Sequence, residues 1–252
     1  MTVSIDLNAD LGELPGPSGR ASDAAVLASV TSCAIACGGH AGDEASMAAT
    51  LMAAKRAGVS PGAHPSYPDR EGFGRRSLDL AHADLRAALA GQLEAIAAIA
   101  DRLDIPLSHV KPHGALYNDA AEDPELAEVI SGVVFDVFQN GCALIGLPGS
   151  ELARAAARKG LTFHAEGFMD RAYLPTGRLM PRSEPGAVLS ALEDRLAQAR
   201  QIALDRCVDT EAGSIRLDVQ TLCLHGDSPG AAATATAVKA ALLAEGVALI
   251  TP

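Results

Sequence analysis

Short β-like runs alternate with Ala-rich helical stretches from one end of the chain to the other, and no Pro/Ser-rich linker or shift in composition interrupts them. A chain with that rhythm can bury its apolar surface only as parallel strands joined by helical crossovers, with helices covering the sheet. Val3–Ala9 reads as the first strand, followed by a turn-rich segment, Gly12–Gly19, and a helix from about Asp23. Cys33–Cys37 is the second strand. The next helix runs from an N-cap at Asp43 to a stop at Gly58. Val59–Ala63 is the third strand, and the long polar loop after it leads to Leu80–Leu103. There Leu85, Leu89, Leu93, Ile96 and Ile99 recur at the spacing of one helical face. Further strands are read at Leu107–Lys111, Cys142–Leu147, Leu161–Glu166, Thr221–Leu224 and Val247–Ile250. The helices between them are Pro124–Gln139, Glu151–Lys159, Val188–Ala203 and Ala231–Glu245, and Arg206–Val219 reads as a hairpin-like insert. Domains usually run to roughly 100–200 residues, but α/β barrels reach about 250 as one unit. The expectation is one TIM-like β/α barrel over residues 1–252, with an open doubly wound sheet as the alternative.

The formal net charge of −11 repels nucleic-acid phosphates and anionic lipid headgroups, so neither nucleic acid nor a membrane is expected as a partner. The opening MTVSIDLNAD places acids where a secretory leader needs bases, and no run of 18 apolar residues occurs; a soluble, cytoplasmic protein is expected. With no Trp, the core must be built from Ala, Val, Leu and Ile. The five cysteines are odd in number and scattered through apolar segments, which argues against a disulfide framework. Cys33, Cys37 and His40 read Cys-x3-Cys-x2-His, yet no second cysteine pair follows at zinc-ligand spacing, so these thiols are read as core.

Chemistry enters where polar residues fall. Active sites of parallel β/α barrels lie at the C-terminal ends of the strands. The strands end in Asn8 and Asp10, in His40, in His64, in Lys111 and His113, in Glu166 with Asp170 and Arg171 just beyond, and in His225 with Asp227. Four of the seven histidines therefore belong to one expected rim. Asp10, His40, His64, His113, Asp170 and His225 are the candidate acids and bases, while Asn8, Lys111, Arg171 and Arg75 are candidates for holding an anion or an oxyanion. The bland readings are local: Asp6 or Asp10 orienting a loop, Lys111 pairing with a carboxylate, Asp227 capping the helix near Pro229. The loop Pro65–Arg76 reads as a lid that brings Arg75 or Arg76 to the site. No phosphate-binding G-x-x-x-x-G-K-[ST] loop, dinucleotide G-x-G-x-x-G or G-x-S-x-G elbow occurs, so any use of ATP needs an unrecognised site or another subunit.

The segments DLNADLGE (Asp6–Glu13), IACGGHAGD (Ile35–Asp43), GAHPSYPDREGFGRR (Gly62–Arg76), VKPHGALYN (Val110–Asn118), EGFMDRAY (Glu166–Tyr173) and LCLHGD (Leu222–Asp227) together resemble the LamB/YcsF family. The family's usual pattern has Phe at the place of Gly39 and Pro at that of Glu44, and its DG is here Thr176-Gly177. The loss of an aromatic beside His40 predicts a wider pocket. The resemblance implies an irregular seven-stranded barrel of the glycoside hydrolase/deacetylase type. It further implies the A component of an ATP-dependent 5-oxoprolinase, a hydrolase of a cyclic amide that converts 5-oxoproline to L-glutamate with subunits B and C, ATP serving at the level of the complex. Two rival readings accompany it. One is a metal-dependent deacetylase or amidohydrolase, with Asp10, His40 and His64 as ligands of a divalent ion; the other is a noncatalytic lactam-binding subunit.

Overall fold

The structure is a computed structural model that describes residues 3–228 and 230–251. Strands β1 (Ser4–Leu11), β2 (Ser32–Ala36), β3 (Ser60–His64), β4 (His109–Val110), β5 (Ala143–Gly146), β6 (Phe163–Phe168) and β9 (Thr221–His225) pair in parallel in that order. The sheet closes because β9 returns to β1, with Asp6 opposite Thr221 and Asp10 opposite His225. The fold is therefore a seven-stranded β/α barrel, and closure decides against the open sheet. A short β10 (Ala248–Leu249) pairs with Ser4 and Ile5, below the β1–β9 seam. The expected insert is an antiparallel hairpin, β7 (Cys207–Thr210) and β8 (Gly213–Arg216), outside the barrel.

Eight α-helices surround the strands: α1 (Gly16–Leu27), α2 (Glu44–Ala57), α3 (His82–Arg102), α4 (Gly114–Glu122), α5 (Pro124–Phe138), α6 (Glu151–Lys159), α7 (Leu192–Arg200) and α8 (Ala231–Ala244) among the described residues. α2 starts and stops where its sequence demands. The Asp43 carboxylate accepts from Ser46 N, the Ser46 hydroxyl accepts from Asp43 N, and Gly58 takes φ 69° at the C-cap. On α3 the five periodic residues are all buried against the core. Three expectations need correction. α1 begins at Gly16, not near Asp23, because Pro17 lies in its first turn, where a missing N–H costs nothing and φ is already helical. The stretch after His113 carries no helix in the sequence reading, yet α4 starts there immediately, without a side-chain cap. α8 begins at Ala231 behind Gly230, so Asp227 does not cap it; the expected start near Pro229 lies outside the described residues. No described helix is long and apolar enough to cross a membrane.

One buried carboxyl gives the fold a pH dependence. Asp23 of α1 accepts from Gly12 N at 3.1 Å, and burial pushes its carboxyl up from 3.8 to about 6. The folded state thus binds this proton more tightly than the unfolded one. The contribution is favourable below pH 3.8 and is lost as the pH rises through 6. Asp23→Asn, which keeps an acceptor but cannot ionise, should therefore melt above the parent at pH 7 and converge with it near pH 4. Equal melting curves at both pH values would discount the burial penalty.

Candidate active site

Barrel interiors of this class are ordinarily filled by branched apolar side chains. Here the inward face of β1 carries Asp6, Asn8 and Asp10, all buried, while Ile5, Leu7, Ala9 and Leu11 pack outward under the helices. Asp6 receives the hydroxyls of Thr221, Thr31 and Ser32 at 2.5, 2.6 and 2.7 Å; burial nonetheless pushes its carboxyl upward. The Asn8 amide donates to Thr221 Oγ1 (2.6 Å) and Glu166 Oε1 (2.9 Å) and accepts from Lys111 Nζ (3.1 Å). Lys111 Nζ also lies 2.7 Å from Asp10 Oδ1, 2.8 Å from Glu166 Oε1 and 3.0 Å from Cys223 Sγ. All three ammonium donors are occupied. Asn8 and Lys111 are thus braced by partners from other strands, and Lys111 also lines the cavity of the site. Burial disfavours the Lys111 charge, but Asp10 and Glu166 more than offset it and hold its pKa well above the usual lysine value. Burial alone would raise the Asp10 carboxyl; His64 and Lys111 hold it well below the usual range.

Above this column the histidines meet. His64 Nε2 is 3.4 Å from Asp10 Oδ2 and 2.9 Å from His113 Nδ1, and the His40 ring stacks on His113 with centroids 3.6 Å apart. Glu13 joins them: its Oε1 lies 3.1 Å from His40 Nε2 and 3.3 Å from His113 Nδ1. Burial lowers His40 to about 4 and also lowers His113, whereas for His64 the charge of Asp10 overcomes burial and raises it. His225 stands at the same mouth, with Nδ1 2.9 Å from Asp170 Oδ2, and its ring stacks on Phe168. Asp10, His64, His113 and His225 line one cavity; His40 lies behind His113.

Arginines rim this cavity. Arg75 and Arg171 both line it, as does Arg182, and it continues into a groove of about 600 Å³ to which Arg178 is added. Arg75 lies 2.5 Å from Asp227 and over the Phe73 ring. Arg171 gives Nε and Nη2 to the carbonyls of Ala187 and Met180, and burial lowers it to about 10. It holds the 171–187 loop as well as facing the cavity.

The loop Pro65–Arg76 is bonded to the segment after β4 and brings Arg75, not Arg76, to the cavity. Phe73 O accepts from His113 Nε2, Gly74 O accepts from Ala115 N, and Arg76 turns away to Asp69. Gly114, at φ 58°, lets this approach happen: a Cβ there would stand 2.4 Å from Gly74 O. Gly39 does not widen the pocket either. A Cβ at Gly39 would meet Gln92 Oε1 and Ser66 Oγ, each at 2.4 Å, because the buried Gln92 amide, bonded to Ser66 N and O, fills that place. Cys33 and Cys37 are buried thiols, the latter donating to Ile35 O and pushed up to about 12, and all five cysteines are free.

Three residues of the site escape the sequence reading: Glu13, Tyr117 and Arg182. Glu13 follows the left-handed turn at Gly12 and so lies past the strand end, although it stands inside the DLNADLGE block. Tyr117 reaches the cavity only through α4, the helix without a sequence mark of its own.

Comparison with known proteins places this architecture. A relative from Paracidovorax citrulli (strain AAC00-1), named as the A component of 5-oxoprolinase, is 46% identical over 98% of both chains. One of the same name from Chloroflexus aggregans is 44% identical over 99% of both. A lactam utilization protein from Thermus thermophilus superposes with a TM-score of 0.90 at 38% identity, covering 98% of this chain and 99% of its own. A family 4 carbohydrate esterase from Streptomyces lividans shares the fold alone, with a TM-score of 0.50 and 12% identity over 98% of this chain and 91% of its own. The family model described as LamB/YcsF matches residues 5–252, which takes in the whole barrel, every residue of the cavity and all six sequence blocks. The chain belongs to the LamB/YcsF family.

Proposed function

We propose that this chain is the ring-opening component of an ATP-coupled 5-oxoprolinase that works with subunits B and C. The observation that carries the reading is the pairing of His225 with Asp170 in the same cavity as Asp10 and His64, beneath a rim of arginines. The names of the full-length relatives supply the substrate class. 5-Oxoproline is an anion, and Arg75 and Arg182 attract its carboxylate to the mouth. Asp170 fixes His225 through Nδ1 and leaves Nε2 for the substrate. A water activated by Asp10 adds to the ring carbon that bears the phosphorylated oxygen, the C–N bond breaks and the ring nitrogen takes a proton from His225, giving an acyl phosphate that a second water hydrolyses to L-glutamate and inorganic phosphate. Lys111 keeps Asp10 ionised for that task. A lactam is resonance-stabilised and recloses readily, so its opening is helped when ATP first phosphorylates the amide oxygen, a step assigned to the partner subunits.

The test is reconstitution with and without subunits B and C, with ATP hydrolysis and glutamate release followed separately. The chain alone should release little glutamate and hydrolyse no ATP, and the complete set should couple the two. ATP hydrolysis stimulated by 5-oxoproline in the isolated chain would contradict the division of labour. Binding of 5-oxoproline with no role in turnover, read from a His225→Gln complex that turns over at the parental rate, would favour a noncatalytic lactam-binding role.

A further inference from the structure

The hydrogen bonds of two histidines fix where their lone pairs point. His64 Nδ1 lies 2.7 Å from the backbone carbonyl of Lys111, and His113 Nε2 lies 2.9 Å from that of Phe73. A carbonyl oxygen only accepts, so both of these nitrogens carry hydrogen. In the neutral rings, His64 Nε2 and His113 Nδ1 are then bare lone pairs, and they face each other at 2.9 Å. Glu13 Oε1 lies 3.3 Å from His113 Nδ1 and 3.9 Å from His64 Nε2, pointing into the same space. Three lone-pair donors converging without a cation repel one another. Tetrahedral coordination at 2.0–2.1 Å separates ligand atoms by about 3.3 Å, close to the spacing found here. Backbone carbonyls on the far ring nitrogens are also the usual means of orienting metal-bound imidazoles.

We propose that His64, His113 and Glu13 bind one divalent transition-metal ion of the Zn2+ class. The set differs from the Asp10–His40–His64 triad suggested by the resemblance. The His40 ring is parallel to that of His113 to within 3°, 3.6 Å away, so an ion in the plane of one ring lies far out of the plane of the other. His40 instead donates Nε2–H to Glu13 and holds that ligand in place. Two imidazoles and a carboxylate form a borderline donor set suited to Zn2+ or Co2+. The inference concerns binding by this chain and does not depend on the identity of the substrate.

The chelator-treated full chain is titrated with Zn2+ by calorimetry and with Co2+ by visible absorption, with no substrate present. One ion per chain is expected. His113→Ala should weaken binding by more than about 100-fold, and His40→Ala, which loosens an oriented ligand, by about 10–100-fold. X-ray absorption of the zinc-loaded parent keeps the test independent of how the variants fold, and should show imidazole nitrogen and oxygen without sulfur. Absence of stoichiometric binding would mean that a shared proton bridges His64 and His113, and would overturn the proposal. So would a sulfur-coordinated ion at the cysteines, or an affinity unchanged in a folded His113→Ala.

Discussion

Lys111→Met is expected to lower the melting temperature by about 6–20 °C at neutral pH. Removing one partner from a buried ion network costs about 3–5 kcal/mol, and 1 kcal/mol shifts a chain of this size by about 2–4 °C. The ammonium is buried 2.7 Å from Asp10 and 2.8 Å from Glu166. A methionine fills its volume but leaves two carboxylates facing each other in the barrel, and Glu166 Oε2 already lacks a partner. Lys111→Met/Glu166→Gln should recover part of the loss, because one of the stranded charges is gone. Thermal melts by circular dichroism decide the matter. A Lys111→Met chain that melts within about 2 °C of the parent while its complex loses turnover would restore Lys111 to the role of a substrate contact.

The second large effect is catalytic. In the reconstituted complex, His225→Gln should lower kcat by about 100- to 10,000-fold, the usual worth of a positioned acid or base. Asp170→Asn should approach the same loss, because an amide that donates to Nδ1 imposes the wrong tautomer on the ring. KM for 5-oxoproline should move little in either variant if, as proposed, the arginines hold the anion. Lys159→Ala at the exposed end of α6 is the control and should turn over at the parental rate. Retention of more than a third of kcat in both site variants would move the proton transfer to another group.

What is legible in the sequence follows from which signals are local. Asp43 and Gly58 bracket α2 because capping is decided within a few residues, and the inward face of β1 is visible as Asp-x-Asn-x-Asp because strand alternation is local too. The Pro and Gly residues around α1 give the same signal for a turn as for a helical first turn, and only packing against the barrel separates the two. α4 runs into α5 with Asp123 alone between them, so neither its start nor its end carries a distinct mark. At the site, strand-end histidines can be read as one rim from the parallel topology. The occupation of Lys111 cannot, because Asp10, Glu166 and Cys223 reach it from places 101, 55 and 112 residues away (111 − 10, 166 − 111, 223 − 111). Gly39 shows the same limit: a missing side chain reads as a void until Gln92, 53 positions on (92 − 39), is seen to fill it.

The β1–β9 seam also sets when the site can exist during folding. Asp6, Asn8 and Asp10 leave the ribosome well before Thr221, Cys223 and His225, which arrive 215 residues later by the measure of Asp6 to Thr221. Contacts of that span form only after a large loop has been closed, so they come late. Until then Asp6 lacks the Thr221 hydroxyl and Lys111 lacks Cys223, one of its four neighbours. A chain that stops before Thr221 should keep local helices yet expose an acidic, unpaired β1 edge, making it a substrate for chaperones and proteases well before it is a defective enzyme.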